Sequence, residues 1–164
     1  MTGSFSYGGS GLSGIDSKGR TTIPAEIRDV VHQSSGGNIV CIGRHRELPC
    51  LVGYGRSERQ QNRDIIEEMR RAAIMRGDAF DDEEIGASAS SLYEINFEAS
   101  GRFVLSPMLR HFGKLKNRVF FHATDSKFLL WDPEIFASNA PAKFKQAREE
   151  LEYWLSVAPK GGDK

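Results

Sequence analysis

Long apolar runs are missing from this 164-residue chain. No stretch approaches the roughly 18–20 consecutive apolar residues that a membrane-spanning helix needs. Cysteine is scarce, with only Cys41 and Cys50, which does not suit a secreted disulfide scaffold. The Gly- and Ser-rich start, Met1 to Ser10, lacks the basic flank and apolar segment of a secretory signal. These absences lead to the expectation of a cytoplasmic protein with no membrane partner. Net charge is missing too: 22 basic side chains balance 22 acidic ones. A uniformly basic, nucleic-acid-coating surface is thereby excluded.

Catalytic patterns are equally sparse. His32, His45, His111 and His122 share no motif, and no Ser or Cys sits in a nucleophile-elbow context. No Gly-rich stretch has the spacing of a phosphate loop, and Gly8-Gly9-Ser10-Gly11 lacks the helix that would complete one. Cys41, His45 and Cys50 fall within ten residues. Structural zinc takes four N or S ligands, usually as close Cys pairs, so the two cysteines read instead as small apolar residues on facing strands. The acidic run Asp78 to Glu84 lacks the alternating ligands and Gly of a calcium loop and reads as solvated linker. The expectation is no enzyme, no metal and no cofactor.

A repeat is present. Gly14-Ile15-Asp16-Ser17-Lys18-Gly19-Arg20-Thr21-Thr22-Ile23-Pro24-Ala25-Glu26-Ile27-Arg28 returns 82 positions later as Asn96-Phe97-Glu98-Ala99-Ser100-Gly101-Arg102-Phe103-Val104-Leu105-Ser106-Pro107-Met108-Leu109-Arg110. Asp16 falls on Glu98, Gly19 on Gly101, Arg20 on Arg102 and Arg28 on Arg110; only Pro24 and Pro107 are out of step, by one residue. Each copy reads as strand, tight turn, strand, then helix. The acid can accept from backbone N–H groups two residues on, and the Gly supplies positive φ where the chain reverses. The Arg leaves the turn at its edge, where it can reach outward or pair with the acid. Asp16, Gly19, Glu98 and Gly101 are therefore expected to structure the turns.

The remaining elements come in the same order in both halves. Ala25 to Gln33 reads as a short helix, and Asn38 to Ile42 and Cys50 to Tyr54 as paired strands. Ser57-Glu58-Arg59-Gln60 resembles a capping box that opens a helix to Arg76, with Ile65, Ile66, Met69, Ala72 and Ala73 as an apolar stripe and Gly77 as its stop. In the second half Ser106 and Pro107 start a helix carrying Met108, Leu109 and Phe112. Arg118 to Phe121 and Lys127 to Trp131 are the second strand pair, whose aromatics read as sheet core. Asp132-Pro133 starts one helix and Pro141 another, with Phe144, Ala147, Leu151 and Leu155 at helical spacing. The expected division is a flexible start 1–8, half-domains 9–77 and 92–157, an acidic linker 78–91 and a flexible tail 158–164.

Charge is segregated along the chain. Residues 1–60 carry seven basic and five acidic side chains, 61–95 carry four and nine, and 96–135 carry six and four. Both repeat-bearing segments are net basic, and the connection between them is acidic. Lys18, Arg20 and Arg28 come from the first turn and its helix, and Arg102 and Arg110 from the matching places. A repeated Arg at a turn can make bidentate contacts to phosphate or guanine, so these five are the candidate DNA-binding residues.

The two boxes, Asp16-Ser17-Lys18-Gly19-Arg20 and Glu98-Ala99-Ser100-Gly101-Arg102, resemble the Asp-x-x-x-Arg boxes of the MraZ family of bacterial transcription regulators. Tyr7-x-Gly9 and Phe128-Leu129-Leu130-Trp131-Asp132 extend the resemblance over roughly residues 7–157. Glu98 and Ala123 depart from it, standing where the family pattern has Asp and Gly. The resemblance implies an α+β fold of two tandem AbrB-like half-domains, an intrachain pseudo-dimer around a barrel-like core. It implies sequence-specific binding of double-stranded DNA at short repeats upstream of the cell-division and cell-wall gene cluster, in the nucleoid, by a ring-shaped homo-oligomer. An antitoxin-like interaction module of the same superfamily is the alternative. Such proteins usually have one box and a disordered tail, whereas this chain has two boxes and ends in an amphipathic helix.

Overall fold

Alternating apolar strands and capped helices give an α+β fold over residues 5–158, the part of the chain that the computed structural model describes. Most of the expected flexible tail and half of the expected flexible start lie outside the described residues. Strands β1 (Ser10–Gly14) and β2 (Arg20–Thr22) precede helix α1 (Ala25–Ser35), strands β3 (Ile39–Arg44) and β4 (Leu51–Tyr54), and helix α2 (Arg56–Arg76). Helix α3 (Asp82–Ala89) leads to strands β5 (Leu92–Asn96) and β6 (Arg102–Val104), helix α4 (Pro107–Phe112), and strands β7 (Arg118–Ala123) and β8 (Phe128–Trp131). Helix α5 (Pro133–Asn139), a 3-10 turn at Ala142–Phe144 and helix α6 (Lys145–Val157) complete the chain.

Six strands form one antiparallel sheet in the order β1-β7-β8-β4-β3-β5, and β2 pairs with β6 in a separate ribbon. Exchanging the two halves of the chain maps this order onto its own reverse. Each half lends its first strand to the other: Ser10 of β1 faces His122 of β7, and Asn96 of β5 faces Ile39 of β3. The strands do not close into the expected barrel-like core. The six-stranded sheet is open, with β1 and β5 as its edges.

Both faces of the sheet are packed, which is why β8 reads as a continuous apolar run. One cluster gathers Ile27 and Val31 of α1, Leu109 of α4, Phe103 of β6 and the Val40, Ile42, Val119 and Phe121 side of the sheet. The opposite face of β7 and β8 gives Phe120, Leu129 and Trp131 to a second cluster under Phe136 of α5 and Leu151 of α6. There His122 accepts from Trp131 Nε1 at 3.0 Å, and burial pulls its imidazole down to about 4, so it stays neutral.

Tyr7, inside the stretch expected to be flexible, is buried and forms a bridge to Asp125. Its hydroxyl donates to the buried Glu58 at 2.5 Å, and burial with this carboxylate neighbour raises its pKa. Glu58 also accepts from Ser34 Oγ at 2.8 Å and from Gly55 N at 3.0 Å. The helix start is thus one turn-corner earlier than the Ser57-to-Gln60 box implies: Gly55 caps, and Glu58 closes the box. The acidic connection is a helix rather than bare linker. Asp81 accepts from Glu84 N at 3.0 Å, and three acids in the first turn favour the positive end of its dipole. The apolar stripe of α2 is not buried: Ile65 and Met69 are about half exposed.

Candidate functional site

The two boxes, 82 residues apart in sequence, meet in the β2–β6 ribbon. Arg20 pairs with Val104, Thr21 with Phe103 and Thr22 with Arg102. Period-2 alternation then divides the ribbon into two faces. Thr21 and Phe103 point inward and are buried. Arg20, Thr22, Val104 and Arg102 share the outer face, with the arginines on its diagonal. Such diagonal neighbours are about 7–8 Å apart at the backbone. The pairing continues beyond the strands, since Ile23 N donates to Gly101 O at 3.0 Å and Leu105 N to Gly19 O at 2.9 Å.

The first turn is built by its acid. Asp16 Oδ1 accepts from Lys18 N and Arg20 N, both at 2.9 Å, and Oδ2 accepts from Arg20 Nε at 2.5 Å. The Arg20 backbone N–H, then its side chain and the Lys18 N–H, hold this carboxyl below the ordinary carboxylate range. Gly19 closes the turn at φ 84°. Arg20 is fixed through Nε alone. Its two terminal amino groups have no other partner among the described residues and keep the fork geometry for bidentate donation. Lys18 stands exposed on the same turn.

The second turn has the same backbone and a different side-chain lock. Gly101 N donates to Glu98 O at 2.7 Å, and Gly101 has φ 91°. Among the described residues the Glu98 carboxylate takes no backbone N–H; it approaches only Arg102 Nε, at 3.5 Å. The extra methylene carries the carboxylate past the position from which Asp16 serves its turn.

Arg28 and Arg110, grouped with the turn cations by sequence, do different work. Each crosses to the other box. Arg28 Nη1 donates to Ser100 O, the carbonyl before Gly101. Arg110 Nε donates to Leu105 O at 3.0 Å, beside Gly19. Both are half-buried, so they brace the turns more than they face outward. The ribbon therefore brings Arg20 and Arg102 together and leaves Lys18 at one end. Thr22 and Val104, absent from the sequence-based candidates, share the outer face; the alternation Arg20-Thr21-Thr22 and Arg102-Phe103-Val104 is the signal that identifies them. Cys41 pairs with Tyr54, while Cys50 lies at the opposite end of the β3–β4 hairpin, so the two are not opposite one another. Among the described residues no group of His, Cys, Asp and Glu is arranged to hold a metal, and no helix is long and apolar enough to cross a membrane.

No family model matches the chain. It is 30% identical over 144 residues to the transcriptional regulator MraZ of Pseudomonas syringae pv. syringae, which spans 83% of this chain and 86% of that protein. Against the transcriptional regulator MraZ of Marinobacter nauticus the identity is 30% over 146 residues, 87% and 91% of the two chains. Against that of Salmonella paratyphi A it is 29% over 148 residues, 89% and 88%. The relatives are named as regulators and match nearly end to end, across both boxes; the chain belongs to the MraZ family of transcriptional regulators.

Proposed function

We propose that the chain is a sequence-specific DNA-binding regulator that reads DNA with the outer face of the β2–β6 ribbon. The observation that carries this reading is the pair of outward arginines, Arg20 and Arg102, on one two-stranded ribbon. The major groove of B-DNA admits a two-stranded ribbon, and the commonest specific contact there is a bidentate arginine on guanine. A diagonal of about 7–8 Å between the arginine backbones is about two base-pair steps of 3.4 Å. Lys18 supplies a phosphate contact beside Arg20. Arg28 and Arg110 set the angle of the two turns.

Residues 9–77 and 92–157 are, on this reading, two AbrB-like half-domains joined through 78–91, and their exchange of first strands supports an intrachain pseudo-dimer. The target would be short promoter repeats at the cell-division and cell-wall gene cluster, in the nucleoid. One protomer offers one ribbon and no net charge, so a ring-shaped homo-oligomer would supply affinity by linking several ribbons.

The test is a binding titration on promoter-repeat and scrambled DNA. Arg20→Ala is expected to abolish specific binding at moderate salt, with about 1–3 kcal/mol lost per engaged guanine contact. Arg102→Ala is expected to weaken it less, having no neighbouring lysine. A folded Arg20→Ala protein with unchanged affinity and selectivity removes the ribbon from the interface.

A further inference from the structure

The two halves differ most in the helices that follow their strand pairs. After β4 comes α2, whose first two turns place Arg56, Arg59 and Arg63 on one face. This face borders Glu94 of β5, which pairs with Arg59 at 2.9 Å and Arg56 at 3.5 Å, while Arg63 has no partner among the described residues. Further along the same face, by helical spacing, stands Ile74, 65% exposed. In the matching place after β8, α6 lines an open groove with Glu149, Glu150 and Tyr153. Glu26 of α1 closes its far wall and Trp154, which donates to Ser10 Oγ at 2.9 Å, forms its floor. Among the described residues no base lines this groove. Tyr153 is 59% exposed, and Val157 beyond it 55%.

The charges are thus opposite, and both faces run from charge to exposed apolar side chain along their helices. Carboxylates beside two aromatic rings suit guanidinium groups, which pair with the former and stack on the latter. The sheet order adds direction. The groove lies against β1 and the arginine face against β5, the two opposite edges of one sheet. Contact between two different faces on opposite edges cannot close as a symmetric pair. It adds copies in one direction until a ring closes or a filament grows.

We propose that the chain assembles head to tail, the arginine face of α2 in one copy seating in the glutamate- and aromatic-lined groove of α6 in the next. This rests on the assembly part of the proposed function and supplies its interface; the DNA-binding ribbon lies on neither face. It also accounts for a chain whose net charge is zero although its local charges are strongly segregated.

The test is light scattering after size exclusion, without DNA. Wild type is expected to elute as a multiple of one chain. Glu149→Lys with Glu150→Lys, and separately Arg56→Glu with Arg63→Glu, are each expected to give the mass of one chain. Mixing the two variants leaves one intact groove and one intact arginine face, so a two-chain species and nothing larger should form. Wild-type masses for both variants, or no pairing on mixing, overturn the proposal. Should a charge reversal prevent folding, Gln60→Cys with Gln146→Cys in an otherwise unchanged chain decides: oxidation should give a ladder of cross-linked chains that neither single substitution gives. Absence of the ladder overturns the interface. A single-chain wild type overturns the assembly reading itself, while binding of one chain to DNA through Arg20 would still stand.

Discussion

The first and second boxes make the same backbone turn and hold it by different means. The first is secured by polar contacts: Asp16 ties two backbone N–H groups and one arginine, and Thr21 and Thr22 anchor to Ser13 Oγ at 3.0 and 3.1 Å. The second is secured by apolar burial: Phe97 precedes its acid and Phe103 fills the inner face of its strand, both nearly inaccessible. A carboxylate with no turn N–H to accept is tolerable where two phenyl rings hold the chain. A shared fold therefore does not imply shared energetics, and equivalent substitutions should have unequal effects.

The largest inequality is expected on the inner face. Phe103→Ala should cost about 3–5 kcal/mol, the range for truncating a buried phenylalanine. Thr21→Ala, at the paired position, should cost about 1 kcal/mol for one lost hydrogen bond. Urea midpoints of the two variants measure the difference, and equal losses would break the comparison.

Next come the glycines. Both have φ near 90°, so any Cβ is strained. At Gly19 it would stand 2.5 Å from Leu105 O; at Gly101 it would stand 2.9 Å from Ile23 O and 2.5 Å from Arg28 Nη1, a movable tip. Gly19→Ala and Gly101→Ala should each lose about 2 kcal/mol or more, from the left-handed penalty of roughly 1–2 kcal/mol plus the clash, and Gly19→Ala more. Thermal melts rank them.

The acids differ in their response to pH. The Asp16 carboxyl titrates below its unfolded value, chiefly through the Arg20 backbone N–H. Its stabilisation is thus fully present above the unfolded pKa near 3.9 and is lost as pH falls through the folded one. Asp16→Asn should be less stable than wild type at pH 7, and the gap should shrink below about pH 4. A gap that stays constant down to pH 3 would mean that the charge of Asp16 does not stabilise the turn.

Glu98 should show the smallest effects. Its side chain is 62% exposed and makes one long contact, so Glu98→Ala should lie within about 0.5 kcal/mol of wild type. Glu98→Asp should match or exceed wild type, because a shorter side chain can reach the N–H groups of Ser100 and Arg102 as Asp16 reaches those of its own turn. A destabilised Glu98→Asp protein would show that the phenyl rings have fixed a turn unlike the first.

Much of this fold was legible in the chain. The order of elements followed from turn residues, caps and alternation, because those signals are local. The strand exchange did not follow: whether Ser10 pairs with His122 or within its own half depends on contacts that no local pattern encodes. The outward arginines were legible as candidates through the repeat. The bracing roles of Arg28 and Arg110 were not, since each reaches the other box across a distance set only by the tertiary fold. The exposed stripe of α2 misled for a related reason: periodicity reports that a helix has an apolar side, not what covers it.

The strand exchange sets a clock on synthesis. β1 ends at Gly14, but its partner β7 spans Arg118–Ala123. At roughly 5–20 residues per second, the nascent chain carries an unpaired first strand for several seconds. β3 meanwhile waits for β5, and its bare edge is a template for wrong pairing. Non-local pairing of this kind also slows folding after release. A ribosome stalled near the acidic helix α3 would display the whole first half with neither of its exchanged partners, the substrate that trigger-type chaperones and proteases are built to find.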